Sequence, residues 1–148
     1  MAIVGNSQKI CNFVELFNDM STFQLQMKVR DYECDAEGIV NNANYLHYFE
    51  HTRHEFCSAH GMSFRRMRQE NMAPVVCRIE ADYRSSLGLG DEFTSHLDME
   101  RRGPRFLFHQ WITNADGQVC VDAVITIVNV IDGRPTRGDE LAQSLDLR

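Results

Sequence analysis

From Phe23 the apolar positions fall on every second residue: Phe23, Leu25, Met27 and Val29 interleave with Gln24, Gln26, Lys28 and Arg30. A period of two is that of a strand with one dry and one wet face. After a polar loop the period lengthens. Tyr45, Phe49, Thr52, Phe56 and Ala59 step by four and three, which predicts a helix from near Ala43 with one apolar stripe. Asn41 or Asn42 is the predicted N-cap, because its short side chain can accept from the first free amides, and Gly61 is the predicted stop. Period two then returns. Val75, Cys77, Ile79, Ala81 and Tyr83 alternate with Arg78, Glu80, Asp82 and Arg84, and Phe93, Leu97 and Met99 carry the pattern to Arg102. Gly103-Pro104 breaks the chain, Phe106 to Thr113 reads as the next strand, and Asn114-Ala115-Asp116-Gly117 as a hairpin turn. Val119 to Ile131 is apolar on nearly both faces, the mark of a central strand, and Asp132-Gly133-Arg134-Pro135 ends it.

The order is therefore strand, long helix, then four strands joined by connections short enough to favour antiparallel neighbours. One curved antiparallel sheet covering one helix makes an α+β layer fold, and several such folds share this list of elements. Residues 1–20 stand apart as an N-terminal extension, in which Ile10, Val14 and Phe17 sit at helical spacing; a short helix, a packing arm or a disordered tail all suit them. Met20 is a candidate second translation start. Residues 21–148 are expected to form a single domain.

Composition narrows the function classes. With 43% hydrophobic and 24% charged residues the chain has the mix of a soluble globular domain. A net charge of −6 argues against nucleic acid as the main partner. No apolar run approaches a membrane span and no secretory signal opens the chain. Five scattered cysteines without a CxxC pair suggest neither a zinc ribbon nor a disulfide framework, so a reducing cytoplasm is the expectation.

The loop before the helix is the chemically richest segment. It places Asp31, Glu33, Asp35 and Glu37 close to a helix N-terminus, where free amides and the positive end of the helix dipole lie. Acyl hydrolysis needs that pair of features: a carboxylate to attack a carbonyl or activate water, and amides to hold the oxyanion. A solvated acidic loop beside a capped helix would look the same. No GxSxG elbow occurs, which disfavours a serine hydrolase.

The stretch VRDYECDAEGIVNNANYLHYFEHTRHEF, Val29 to Phe56, resembles the signature of the 4-hydroxybenzoyl-CoA thioesterase-like branch of the hotdog superfamily. It is closer still to that of the plant-type acyl-ACP thioesterases of methylketone synthesis. The resemblance implies a hotdog fold, with the long helix wrapped by the sheet. It implies an acyl thioesterase for acyl-CoA or acyl carrier protein substrates of the fatty or β-ketoacyl class, needing no cofactor and no metal. Asp35 falls at the catalytic carboxylate and Asn42 at the amide that polarises the carbonyl. Gly38, Val40, Asn41, Tyr45 and His54 are expected around the substrate. Paired protomers, as a homodimer or further as a homotetramer, would hold the sites at their interface. Related thioesterases of the Tol-Pal-associated type carry a tyrosine and a histidine where this chain has Asp31 and Asn42, with Tyr32 one place off. A Tyr/Asp/His arrangement is therefore not carried over, and the choice between attack and water activation by Asp35 stays open. A hotdog dehydratase and a non-catalytic acyl-thioester binder are the competing classes.

Other constellations read more plainly. His47, Glu50, His51 and His54 share a helix face at spacings that can bind zinc, but this face turns away from the apolar stripe and is expected to be wet or partner-facing. Arg102 and Arg105, with Arg101, cluster at a hairpin and could grip the phosphates of CoA or the acidic surface of a carrier protein. Arg65, Arg66 and Arg68 form a second basic cluster after the helix. Cys34 beside Asp35 lacks an activating neighbour. Met62, Phe64, Met67 and Met72 are candidates for an acyl tunnel or for plain core.

Overall fold

The opening alternation becomes strand β1, Phe23–Lys28, in a computed structural model that describes residues 22–146. The N-terminal extension lies outside the described residues. A short 3-10 turn, Asp31–Glu33, leads to helix α1, Asn42–Ala59, and a second helix, α2, spans Phe64–Gln69. Strands β2 Met72–Tyr83, β3 Glu92–Arg102, β4 Arg105–Asn114 and β5 Val119–Ile131 follow, then a two-residue strand β6, Arg134–Pro135, and helix α3, Asp139–Ser144. The sheet is antiparallel throughout in the order β1-β3-β4-β5-β2, with β6 beside the end of β5. It curls around α1, which is the hotdog arrangement.

The stripe on α1 packs as its period requires. Tyr45, Phe49, Thr52 and Phe56 are buried, and Tyr48, Arg53 and Cys57 widen the buried face. Ala59, the last residue of the helix, is exposed instead. Polar groups on this face are matched in pairs. Thr52 shares a 2.7 Å hydrogen bond with Ser95 of β3. Gln110 of β4 donates to the Phe49 carbonyl at 3.0 Å and accepts from Arg53 at 2.9 Å. Such bonds fix where the helix sits along the sheet, since a slip would leave them buried and unpaired.

Three features depart from the period-two and period-3.6 reading. Strand β2 carries a bulge at Cys77, where the register passes from Val76 opposite Ile127 to Arg78 opposite Thr126. The bulge exchanges the two faces of the strand. Met72, Pro74 and Val76 before it, and Ile79, Ala81 and Tyr83 after it, share the helix-facing side, so Val75 and Cys77 do not line up with Ile79. The strand is also a sheet edge, and Val75, Val76, Ile79 and Tyr83 are 40–49% exposed. Helix α2 forms because Ser63 caps it by accepting from the Arg66 amide, Met67 is buried and Arg66 pairs with Glu70 at 2.9 Å. Helix α3 forms because Leu141 and Ala142 are buried, with Leu145 just beyond its end. Both are too short for periodicity to show.

One buried carboxylate ties the loop to the helix. Glu33 is 8% exposed, and its Oε2 accepts from the Tyr48 hydroxyl at 2.7 Å and from the Arg30 amide at 2.8 Å. Its backbone carbonyl accepts from Asn44 Nδ2 at 2.6 Å and from the Asn41 amide at 3.0 Å. Burial, and then the Glu33 contact, push the Tyr48 hydroxyl well above the ordinary tyrosine range, so it remains a donor. Tyr48→Phe leaves that carboxylate short of a donor and is expected to cost about 1–3 kcal/mol. Urea unfolding measures this; an unchanged midpoint would refute the anchoring role.

Three histidines, His54, His96 and His109, are held below the ordinary histidine value, in each case chiefly by burial. The unfolded chain binds protons that the folded chain resists, so stability is full above the unfolded value of about 6.5 and falls as pH drops below it. The urea midpoint should fall between about pH 7.5 and 5.5, and His96→Gln should flatten that fall. A midpoint that rises on acidification contradicts the sign.

Candidate active site

The 3-10 turn, the loop and the first turn of α1 carry the site. Asp35 Oδ1 accepts from the Glu37 amide at 2.8 Å, and the Asp35 amide donates to Ile39 O at 2.9 Å. The chain reverses between these bonds through Gly38, whose φ of +79° is a left-handed conformation that favours glycine. The Asp35 side chain stays exposed. Val40 then donates to Leu87 O at 2.8 Å, which draws the loop after β2 alongside.

Most amides around the helix start have acceptors. Asn41 is the N-cap, with φ −60° and ψ 137°, and its side chain accepts from the Ala43 amide at 2.9 Å. The amides of Val40, Asn41 and Asn44 are also engaged, to Leu87, Glu33 and Asn41 carbonyls. The Asn42 amide donates to no acceptor among the described residues. A first-turn N–H is one of the donors a helix cannot satisfy internally, and it lies at the positive end of the dipole. The Asn42 carbonyl, in turn, accepts from the Tyr83 hydroxyl at 3.0 Å, and the Tyr45 hydroxyl accepts from the Leu87 amide at 3.0 Å.

These contacts enclose a cleft of about 350 Å³. The loop and helix contribute Asp35, Ile39, Val40, Asn42 and Tyr45; the end of β2 and the following loop contribute Tyr83, Arg84, Ser85 and Ser86. Asp35, with its exposed carboxylate, and Asn42, with its unengaged amide, thus line one cavity. That combination can attack or hydrate an acyl carbon and stabilise the resulting oxyanion.

Of the residues singled out from sequence, Asp35, Val40, Asn42 and Tyr45 line this cleft, while Gly38 and Asn41 shape its backbone. The others lie elsewhere in the chain. His54 lines a second cavity of about 90 Å³ near the C-terminal half of α1, edge-on to Phe64 at 4.2 Å. Met62, Phe64 and Met67 line that cavity too, whereas Met72 is buried in the core. Arg102 and Arg105 face each other across the β3–β4 turn, and Arg102 pairs with Glu100 at 2.6 Å. Nine residues of β3, or roughly 30 Å, separate that turn from Phe93, at the sheet end nearest the Asp35 loop. Arg101 bonds to Asp139 and to the Arg137 carbonyl, so it anchors α3. His47, Glu50 and His51 are exposed, and no group among the described residues could hold a metal ion. Burial, and then the Asp35 carboxylate, push the Cys34 thiol up, the wrong direction for a nucleophile. No helix of the described residues is long and apolar enough to cross a membrane.

Tyr83, Arg84, Ser85, Ser86 and the anchoring Glu33 were missed as site-builders. The sequence marks Ser85 and Ser86 only as a loop, and nothing in their spacing ties them to an aspartate fifty residues upstream.

Comparison with known proteins bears on the family and the fold. The family model described as the thioesterase-like superfamily matches residues 29–144. The chain is 37% identical to the long-chain acyl-CoA thioesterase FadM of Escherichia coli, over 71% of this chain and 80% of that protein. It is 39% identical to the chloroplastic acyl-acyl carrier protein thioesterase ATL3 of Arabidopsis thaliana, over 50% of this chain but only 40% of that longer protein. A hypothetical protein from Aquifex aeolicus of solved structure superposes with a TM-score of 0.78 at 27% identity, covering 83% of this chain and 98% of that one. The chain belongs to the thioesterase-like superfamily, among the hotdog-fold thioesterases.

Proposed function

We propose that the chain hydrolyses the thioester of an acyl group carried on CoA or acyl carrier protein, with fatty or β-ketoacyl chains as the substrate class. The observation that carries this reading is the shared cleft of Asp35 and the unengaged Asn42 amide. Relatives named for an acyl-CoA and for an acyl-ACP substrate support both carriers. Asp35 either attacks the thioester carbon, giving an anhydride that water then opens, or takes a proton from the water that attacks. In both routes the carbonyl oxygen gains charge against the Asn42 N–H, the carbon–sulfur bond breaks, and the thiolate leaves and is protonated. The products are the free acid and the carrier thiol. Thioester carbonyls are weakly resonance-stabilised, so one carboxylate and one fixed donor suffice. The described cysteines are free thiols, which suits work in the cytoplasm.

The reading extends to a homodimer. Strand β2 presents a twelve-residue open edge with exposed Val75, Val76, Ile79 and Tyr83, and such edges are usually covered or blunted. A second copy covers it here, and two such dimers can pair into a tetramer. Arg102 and Arg105, so far along β3 from Asp35, then meet a carrier's phosphates only across protomers.

Thiol release from a panel of acyl-CoAs and acyl-ACPs tests the chemistry. Asp35→Asn is expected to lower turnover about 100- to 10,000-fold while the fold persists. Proline is tolerated at the first helical position, and the backbone of Asn41 suits a residue before proline, so Asn42→Pro deletes the amide without breaking α1. It should cost about 100- to 1,000-fold in kcat, whereas Asn42→Ala keeps the amide and stays near wild type. Full activity in Asp35→Asn would reject Asp35 as the catalytic carboxylate, and no turnover of any panel member would favour a binding protein. Sedimentation tests the assembly: wild type should run as a dimer or tetramer and Ile79→Lys as a monomer, and a monomeric wild type rejects the β2 interface.

A further inference from the structure

The cleft holds one charged side chain that hydrolysis does not use. Arg84 directly follows β2 and lines the same cavity as Asp35 and Asn42. Its Nε donates to the carboxylate of Asp122 on β5, a side chain only 12% exposed. That bond fixes the guanidinium plane. Among the described residues its Nη groups donate to nothing, and no ion pair joins it to Asp35. The result is a pinned cation with a free donor edge beside the reacting centre. Pinning matters because a fork already held in place loses little freedom when it takes a ligand.

The cleft lining is of two kinds. Ile39, Val40 and Tyr45 offer carbon; Arg84, Ser85 and Ser86 offer donors. A pantetheine-borne substrate is likewise two-sided about its thioester, with an acyl chain on one side and an amide-bearing arm on the other. A desolvated alkyl chain gains nothing from a guanidinium, whereas an amide carbonyl gains a charge-assisted hydrogen bond. The first amide of the arm lies a short step beyond the sulfur, within a cavity of this size. We propose that Arg84 is a substrate-binding residue that donates to the first amide carbonyl of the pantetheine arm, with Asp122 as the residue that positions it. This rests on the thioesterase reading above. Both carriers share the arm, so the contact serves CoA and carrier protein alike.

The test compares one acyl group on three thiols: CoA, N-acetylcysteamine, which keeps the first amide, and butanethiol, which lacks it. Arg84→Met should lower kcat/KM about 10- to 100-fold for the first two, mainly through KM, and leave the butyl thioester little changed. Arg84→Lys, which keeps the charge but loses the fork, should fall between. Asp122→Asn should reproduce the KM rise in weaker form with kcat retained. Circular dichroism confirms that each variant is folded. An equal loss on the butyl thioester overturns the proposal and puts Arg84 at the reacting carbon. No loss on acyl-CoA overturns it too, as does wild-type turnover of acyl-CoA with none of the N-acetylcysteamine thioester. A wild type inactive on acyl-CoA and acyl-ACP alike refutes instead the thioesterase reading beneath it.

Discussion

The buried carboxylate of Glu33 is the constraint on which the rest depends. A carboxylate out of water is costly unless its oxygens are satisfied, and here the satisfaction comes from two directions. The Tyr48 hydroxyl reaches it from the second turn of α1, and the Arg30 amide from just beyond the first strand. The same residue's carbonyl then receives Asn41 and Asn44. With both ends of the loop held, the intervening residues have little choice of path, and Asp35 is carried to the mouth of the cleft at the helix start. A buried acid thereby sets the position of the exposed one for which catalysis is proposed.

The second layer of organisation is the hydrogen-bond ledger around the first turn of α1. A helix start always leaves amides over. Here the cap and the loop take up the amides of Val40, Asn41, Ala43 and Asn44, and the Asn42 amide, on a residue that lines the cleft, is left without an acceptor among the described residues. The cleft is completed from far along the chain, by the Tyr83 hydroxyl on the Asn42 carbonyl and by Leu87 on Val40 and Tyr45. The candidate catalytic groups are thus local in sequence, but the contacts that hold them are not.

That division explains what the sequence made legible. Elements long enough to show a period, α1 and the main strands, were readable because burial selects every second or every third-to-fourth side chain. The acidic loop was readable because acids, Gly38 and the asparagines lie within a dozen residues. The contribution of Tyr83, Arg84 and the two serines was not, because contact between residues forty or more positions apart leaves no mark in a single sequence. Helices α2 and α3 were invisible for a different reason: six residues are less than two turns, and tertiary packing decides them. The positions of His54, Arg102 and Arg105 show the same limit, since a residue's type does not say which end of a helix or sheet it occupies.

The bulge at Cys77 adds a rule of parity to this molecule. Pro74 and Val76 line the small cavity on one side of it, and Tyr83 closes the cleft on the other, all from the same face of one strand. An uninterrupted strand would send Tyr83 to the opposite face, away from the Asn42 carbonyl. The extra residue is what lets one strand serve two cavities. A substitution along β2 leaves that parity intact, whereas a single insertion or deletion between Val76 and Tyr83 reverses every side chain beyond it. Length in that segment carries a constraint that side-chain identity does not.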